Sequence, residues 1–209
     1  MTIEHQTQSS ISIVITVHDQ AGALEQHLPD FLTLPYEGQC EVIVVDDMST
    51  DDTPDVLKRM KAEYPRLYTT FLPSSIVVNP SRKRLALSVG AKAAHHDYIV
   101  LADIHHPPVN ADWLAGLADG EASMVFSNRK RDKVTHVIAT ELDDLRHVIM
   151  KAERRSFKNH WGKWFRKQRG LYDAVGVRKE HIFDAIRLYD QQIRGFRLLG
   201  LRLRVLLGF

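Results

Sequence analysis

The sequence predicts an α/β fold in which a mostly parallel central sheet carries helices on both faces. Short apolar, β-branched segments alternate with segments whose apolar residues have helical spacing, as in consecutive β–α units. The apolar segments lack strict polar alternation, so they are expected to be buried on both faces, as the strands of parallel sheets are. At 209 residues the chain suffices for one domain, and no repeat or linker divides it.

The first two β–α units have the clearest patterns. Residues 11–17 (ISIVITV) predict a buried strand, and residues 21–34 have apolar residues at helical spacing. Residues 41–47 (EVIVVDD) predict a second strand. The next helix is expected to begin at Thr53 and Pro54, because threonine caps helices and proline is tolerated in their first turn.

Three further strands follow from shorter patterns. Residues 67–72 predict the third strand, and residues 81–94 a basic helix. Residues 98–102 (YIVLA) predict a fourth strand and residues 122–126 a fifth. In open sheets of this kind ligands bind beyond the carboxyl ends of the parallel strands, so the residues that follow each strand are candidate site residues.

After the fifth strand the pattern changes to a basic portion. A charged helix is expected from about Thr140 to Arg155, and residues 172–177 are expected to return one strand to the sheet. Residues 1–150 contain 13 Lys/Arg and 21 Asp/Glu, a balance of −8, whereas residues 151–209 contain 15 and 5, a balance of +10. The two parts are therefore expected to contact different partners.

Composition argues against several classes of protein. Residues 1–10 are polar and lack the features of a secretion signal, and the single Cys40 cannot form an internal disulfide, so a cytoplasmic location is expected. No stretch reaches the roughly 20 apolar residues of a membrane-spanning helix. Trp161 and Trp164 lie among basic residues, but no nucleic-acid-binding motif accompanies them, so no nucleic acid is expected as a partner.

Three polar clusters follow three of the predicted strands: residues 16–19 (TVHD), 46–51 (DDMSTD) and 103–106 (DIHH). Parallel strands would bring all three clusters to one edge of the sheet. Asp51 and its neighbours are interpreted as helix caps, but Asp46 and Asp47 lie too far before the helix for that. Asp103 and His105 form an Asp-x-His turn, which can hold a divalent cation between a carboxylate oxygen and an imidazole nitrogen.

The first two clusters, together with the strands before them, resemble the opening of family-2 glycosyltransferases. Residues 13–19 (IVITVHD) and 44–53 (VVDDMSTDDT) carry the similarity, with Met48 where the family has glycine. It continues through residues 90–105 and covers about residues 11–126. The resemblance implies a Rossmann-like GT-A fold and an inverting enzyme that moves a sugar from a UDP- or GDP-sugar to an acceptor, in bacterial surface-polysaccharide assembly.

The resemblance also implies which residues contact the nucleotide. Asp47 is expected to hydrogen-bond the base and His18 to stack on it, with Thr16 and Asp46 beside them. Arg82, early in the third helix, is expected to approach the nucleotide. A solvated basic helix face is the alternative interpretation of Arg82.

Asp103 and His105 stand where the family has its Asp-x-Asp metal motif. The histidine is similar to that of the polypeptide N-acetylgalactosaminyltransferases, which use an Asp-x-His motif to hold manganese. Because imidazole is neutral, the site loses one negative charge and is expected to favour Mn²⁺, with Mg²⁺ as the alternative ion. Loss of metal binding is the other interpretation.

Inverting transfer needs a general base that takes the proton of the acceptor hydroxyl. The family uses an aspartate late in the domain, and Asp190 is the residue expected in this role. The acidic pair Asp143 and Asp144, in a charged helical run, and Asp173 are the alternatives. For the protein as a whole, a catalytically degenerate nucleotide-sugar-binding or scaffold protein of the same fold is the alternative function.

The resemblance and the charge distribution together predict an organisation. Residues 1–10 are expected to be flexible, residues 11–127 to form the nucleotide-sugar-binding half of the GT-A domain, and residues 128–209 its acceptor-side portion. Residues 193–209 combine leucines with arginines, as in an amphipathic helix on the inner face of a membrane, near a lipid-linked acceptor. A helix packed on the sheet and an oligomer interface are the alternatives for this segment.

Overall fold

A seven-stranded sheet forms the centre of the computed structural model, which describes residues 9–72, 82–115, 117–129, 131–140 and 173–187. The strands are β1 (Ile11–Val17), β2 (Cys40–Asp46), β3 (Leu67–Phe71), β4 (Tyr98–Ala102), β5 (Ala122–Asn128), β6 (Lys133–Ala139) and β7 (Ala174–Arg178). Their order is β3-β2-β1-β4-β7-β5-β6. β1 is parallel to β2 and β4, and β2 is parallel to β3, so the first four strands form the predicted parallel core.

Helices cover both faces of this parallel core. They are α1 (Ala21–Leu32), α2 (Thr53–Glu63) and α3 (Arg82–Ala93). α1 and α2 pack on the face that carries Ile13 and Val42, and α3 packs on the opposite face with Val14 and Ile43. The α/β fold with helices on both faces is therefore confirmed.

α3 lies close to the sheet because a glycine faces it. A Cβ atom at Gly90 would lie 2.4 Å from Cγ1 of Val14 and 2.9 Å from Cγ2 of Val45. These distances are shorter than any van der Waals contact, so only glycine fits. The close approach places the first residues of α3 near the carboxyl ends of β1 and β2.

The second half of the sheet departs from the predicted order. β5 and β6 form an antiparallel hairpin, and β6 was not predicted. β7 begins two residues after the start of the strand predicted at residues 172–177, and it lies between β4 and β5, antiparallel to both. Beyond Thr140, the predicted charged helix lies outside the described residues, as does the segment 193–209.

Glu41 ties the amino-terminal edge of the sheet together. Its carboxylate accepts hydrogen bonds from Oγ of Ser12 (2.5 Å) and from the backbone nitrogen and Nδ1 of His95 (both 2.8 Å). Burial opposes ionisation, but these hydrogen bonds outweigh it and lower the pKa of Glu41. β1, β2 and the segment after α3 are thus joined by one charged group.

No helix among the described residues is long and apolar enough to cross a membrane.

Candidate functional site

The carboxyl ends of β1, β2 and β4 lie side by side at one edge of the sheet. Thr16 is paired with Val45, and Ile15 with Ala102, so the three strands end at nearly the same level. The polar clusters that follow these strands therefore leave the sheet together. This edge, formed by residues 16–20, 46–53 and 103–106, is called the rim below.

Arg82 holds the side chain of Asp47 at the rim. Its Nε donates to both carboxylate oxygens (3.2 and 3.3 Å), and its Nη2 donates to Oδ1 at 2.9 Å and to the backbone oxygen of Asp47 at 3.2 Å. Hydrogen bonding to this carboxylate raises the pKa of Arg82. The carboxylate is 14% exposed and the arginine 56%, so the guanidinium remains open to a ligand.

His18, Asp46 and Thr16 lie around the same loop. Nδ1 of His18 lies 2.8 Å from the backbone oxygen of Asp47. Because a carbonyl oxygen only accepts, Nδ1 is the donor. The His18 ring is exposed. The Asp46 carboxylate is buried and accepts from the backbone nitrogen of Ser49 at 2.9 Å, so it shapes the loop. Thr16 is partly buried one residue before the end of β1.

Asp19, to which the sequence analysis gave no role, joins the loops after β1 and β2. Its Oδ1 accepts from the backbone nitrogen of Thr50 at 2.7 Å, and its own nitrogen donates to Oγ of Ser49 at 2.9 Å. The hydrogen bond from the Thr50 backbone is the largest of the interactions that lower the pKa of Asp19. Asp19 and Met48 have left-handed backbones, with φ of 52° and 59°. Methionine is disfavoured there by about 1–2 kcal/mol, and such strain is often found at functional sites.

Asp51 and Thr53 attach α1 and α2 to the rim. Oδ2 of Asp51 accepts from the backbone nitrogen of Ala21 at 3.1 Å, and its Oδ1 accepts from that of Thr53 at 3.0 Å. The Asp51 carboxylate therefore binds the first backbone amide of each helix, although it is not itself the N-cap residue of either. α2 begins at Thr53 itself, so its N-cap residue is Asp52 and not Thr53 as predicted. The Thr53 hydroxyl instead accepts a hydrogen bond from the backbone nitrogen of Gln20 (3.0 Å).

Asp103 and His105 lie on the turn directly after β4. Oδ1 of Asp103 accepts from the backbone nitrogen of His105 at 3.0 Å, and Nζ of Lys83 lies 3.9 Å from its Oδ2. Nε2 of Gln20 lies 3.0 Å from Nε2 of His105. Because an amide nitrogen only donates, His105 Nε2 is the acceptor and carries the ring lone pair.

The candidates for the general base are described only in part. Asp190, Asp143 and Asp144 lie outside the described residues. Asp173, the third alternative, directly precedes β7, whose first residue, Ala174, is paired with Ala102, the residue before Asp103. A pattern along the chain gave no means of finding this neighbour, since it depends on which strands pair.

The comparison with families decides the class of the protein. The model described as "Glycosyl transferase family 2" matches residues 12–180. The chain belongs to glycosyl transferase family 2. The match extends beyond residues 11–126, on which the resemblance in the sequence rested. A search of the curated proteins found no match.

Solved structures of glycosyltransferases share the fold of this family-2 chain. Glucosyl-3-phosphoglycerate synthase from Mycobacterium tuberculosis, in complex with Mn²⁺, UDP and glucosyl-3-phosphoglycerate, has a TM-score of 0.51 and 20% identity, over 82% of this chain and 57% of that one. The mannosyltransferase PcManGT from Pyrobaculum calidifontis, with GDP-Man and Mn²⁺, has a TM-score of 0.46 and 23% identity, over 61% and 39%. S. aureus TarS 1-349 with UDP-GlcNAc has a TM-score of 0.44 and 19% identity, over 54% and 33%.

The similarity to glucosyl-3-phosphoglycerate synthase shows the GT-A fold of this family-2 member. The chain spans between about a third and somewhat over half the length of the three structures, at 33%, 39% and 57%. The ligands of those structures are therefore properties of those proteins.

Proposed function

We propose that the protein is an inverting, metal-dependent hexosyltransferase that moves a sugar from a UDP- or GDP-sugar to a glycan or lipid-linked acceptor. Bacterial surface-polysaccharide assembly is the proposed setting. The observation that carries the proposal is the Asp47–Arg82 pair, held at the rim beside His18 and Asp103 in a chain of glycosyl transferase family 2. The degenerate binding or scaffold protein is the alternative that the experiment below distinguishes.

The nucleotide is proposed to bind at the loop after β2. Asp47 accepts a hydrogen bond from the base, and the exposed ring of His18 stacks on it. Arg82 keeps the carboxylate in place and presents its exposed guanidinium to the nucleotide. Asp46 and Thr16 support the pocket, Asp46 through its hydrogen bond to the loop.

A divalent cation is proposed at Asp103 and His105. The donor set fits such an ion, because Asp103 offers carboxylate oxygens and Nε2 of His105 lies against the Gln20 amide, which can turn away. When bound there, a cation neutralises charge on the diphosphate leaving group. Lys83, close to Asp103, supplies further positive charge to the same group.

The general base and the acceptor side are proposed from the sequence. Asp190 takes the proton of the acceptor hydroxyl, so that the oxygen can attack the anomeric carbon. Residues 11–127 form the donor half and residues 128–209 the acceptor side, and residues 193–209 provide peripheral contact with the inner face of a membrane or with a second copy. A cytoplasmic location follows from this arrangement.

Calorimetric titration with UDP and GDP, each with and without Mn²⁺, tests the proposal. We expect binding to one nucleotide that Mn²⁺ strengthens. Asp47→Asn and Arg82→Lys should weaken it at least about tenfold, since each removes part of a charge-assisted fork worth over 1 kcal/mol. Arg59→Lys is the matched control. Arg59 lies on α2 and pairs with Glu25 on α1, away from the rim.

The same experiment distinguishes the alternatives. Nucleotide binding without hydrolysis or transfer of any UDP- or GDP-sugar would indicate the degenerate binding protein. Absence of binding to both nucleotides would refute the transferase and favour the scaffold.

A further inference from the structure

Asp173 is a buried residue, and one of its two carboxylate oxygens has no hydrogen-bond partner among the described residues. The residue is 9% exposed, and its Oδ2 is buried and makes no hydrogen bond within the part of the chain that the structure describes. A buried carboxylate costs several kcal/mol unless a cation or a donor compensates it. An uncompensated group of this kind calls for an explanation, and a ligand that supplies the missing interaction is one.

The register of the sheet places Asp173 next to Asp103. β4 and β7 are antiparallel, and Ala102 and Ala174 are the last pair at this end. Asp103 follows Ala102, and Asp173 precedes Ala174. Opposed residues on neighbouring antiparallel strands have Cβ atoms about 4.5–5.5 Å apart, and Asp103 and Asp173 directly flank the last such pair, Ala102 and Ala174. Two side chains so placed are within reach of one shared ion.

Both side chains belong to the face that α3 covers. Leu101 and Val175, two residues inward on their strands, pack in the same core cluster as Leu87 of α3. Side chains alternate along a strand, so continuing this alternation by one residue beyond each strand end assigns Asp103 and Asp173 to that face. Lys83, also on α3, lies near Asp103, which agrees with this placement.

The metal motif of this chain has one carboxylate fewer than an Asp-x-Asp motif. A motif with two aspartates has two negative charges, whereas Asp103 and His105 have one. We propose that Asp103 and Asp173 together supply the two carboxylate ligands of the divalent cation, so that Asp173 restores the charge that His105 lacks. The inference rests on the proposed function, because the ion serves a diphosphate. Two carboxylates also make Mg²⁺ an acceptable ion.

A competing group of metal-ligating side chains lies at the opposite edge. Ligand atoms of Glu121, Glu180 and His181 all lie within 4.8 Å of one another, and among the described residues this is the one group of three so close together. Nε of Arg178 is 3.6 Å from the Glu121 carboxylate, and the Glu180 side chain is 70% exposed. The Glu121 and Glu180 carboxylates lie beside Arg178 and His181, so this exposed group is interpreted as an ion-pair network and provides a control.

The experiment measures Mn²⁺ binding without nucleotide, from the electron paramagnetic resonance signal of free Mn²⁺. Wild type, Asp173→Asn, Asp103→Asn and Glu180→Gln are compared at full length. We expect both aspartate variants to bind Mn²⁺ at least about tenfold more weakly than wild type, because each loses one carboxylate ligand. Glu180→Gln should bind as wild type does.

Thermal unfolding without metal completes the test. Asp173→Asn should unfold at the wild-type temperature or higher, because Oδ2 of Asp173 makes no hydrogen bond that the amide would lose. Equal Mn²⁺ affinity of Asp173→Asn and wild type, absence of Mn²⁺ binding to wild type, or loss of cooperative unfolding in Asp173→Asn would each overturn the inference. Binding of UDP or GDP that needs no Mn²⁺ would overturn it too, while leaving the nucleotide site of the proposed function intact.

Discussion

Individual carboxylates at the two edges of the sheet have different tasks. Asp19, Asp46 and Asp51 accept hydrogen bonds from backbone amides and so order the loops of the rim. The Asp47 carboxylate is instead paired with the Arg82 guanidinium. A ligand can therefore bind both side chains together or take the place of the guanidinium at the carboxylate. Glu41, at the opposite edge, stabilises the fold through hydrogen bonds to its charged carboxylate, so its contribution to the free energy of unfolding depends on pH.

Replacing Glu41 by glutamine should lower the free energy of unfolding at pH 7 by about 2 kcal/mol, because hydrogen bonds to a buried charged group are lost. The hydrogen bonds hold the pKa of Glu41 below its ordinary value of 4.5. Its contribution is therefore fully present above pH 4.5 and is lost as the pH falls through the lowered pKa. Urea unfolding across this range measures the effect.

The exposed Glu37 provides the control, since Glu37→Gln should leave the unfolding free energy unchanged. A difference between wild type and Glu41→Gln that stays constant from pH 7 to well below pH 4.5 would contradict the assignment of the effect to the carboxylate charge.

The sequence was informative about which residues reach the rim and uninformative about their partners. Strand ends locate Asp47 and Asp103, because parallel strands share an edge. The bonds from Arg82 to Asp47 depend on how close α3 lies to the sheet, and the position of Asp173 depends on a strand pairing between distant segments. Hydrophobic periodicity carries neither kind of information.

At the scale of single elements, α3 depends on Gly90. Gly90→Ala should lower the free energy of unfolding by about 1–3 kcal/mol despite the better helix propensity of alanine, because the methyl group meets Val14 and Val45. The helix must then move outward and take Arg82 with it, so nucleotide affinity should fall as well. Thermal unfolding and nucleotide titration check the two effects.

Gly22 in α1 is the matched control, since a Cβ there meets nothing within 4 Å. Gly22→Ala should raise the free energy of unfolding by about 0.5–1 kcal/mol through helix propensity alone. If both alanine variants were stabilised, the close approach of α3 to the sheet would be wrong.

The strands differ in how well the sequence predicts them. β1, β2 and β4 are buried on both faces and consist mostly of apolar residues, which is why their patterns were clear. β6 is an edge strand whose residues are mostly exposed or partly exposed, so its sequence, KVTHVIA, lacks that signal. The existence of β7 was predicted, but its antiparallel place between β4 and β5 was not, because local patterns do not encode strand order.

Over the whole molecule, the strand order predicts a gradient of hydrogen exchange. Backbone amides of the five inner strands, β2, β1, β4, β7 and β5, should exchange most slowly, because each of them is paired on both sides. Amides of β3 and β6 at the ends of the sheet should exchange fastest. Native-state exchange followed by mass spectrometry measures the order, and exchange in β7 as fast as in β6 would contradict its central place.

The central position of β7 also fixes an order of assembly while the chain emerges from the ribosome. β1 to β4 are synthesised first and can pair early, but one side of β4 has no strand to pair with until residues 174–178 follow. β5 and β6, although made earlier, are attached to the sheet only through β7. During this interval the nascent chain presents an unpaired apolar strand edge, so this is the stage of synthesis at which it is most prone to aggregate.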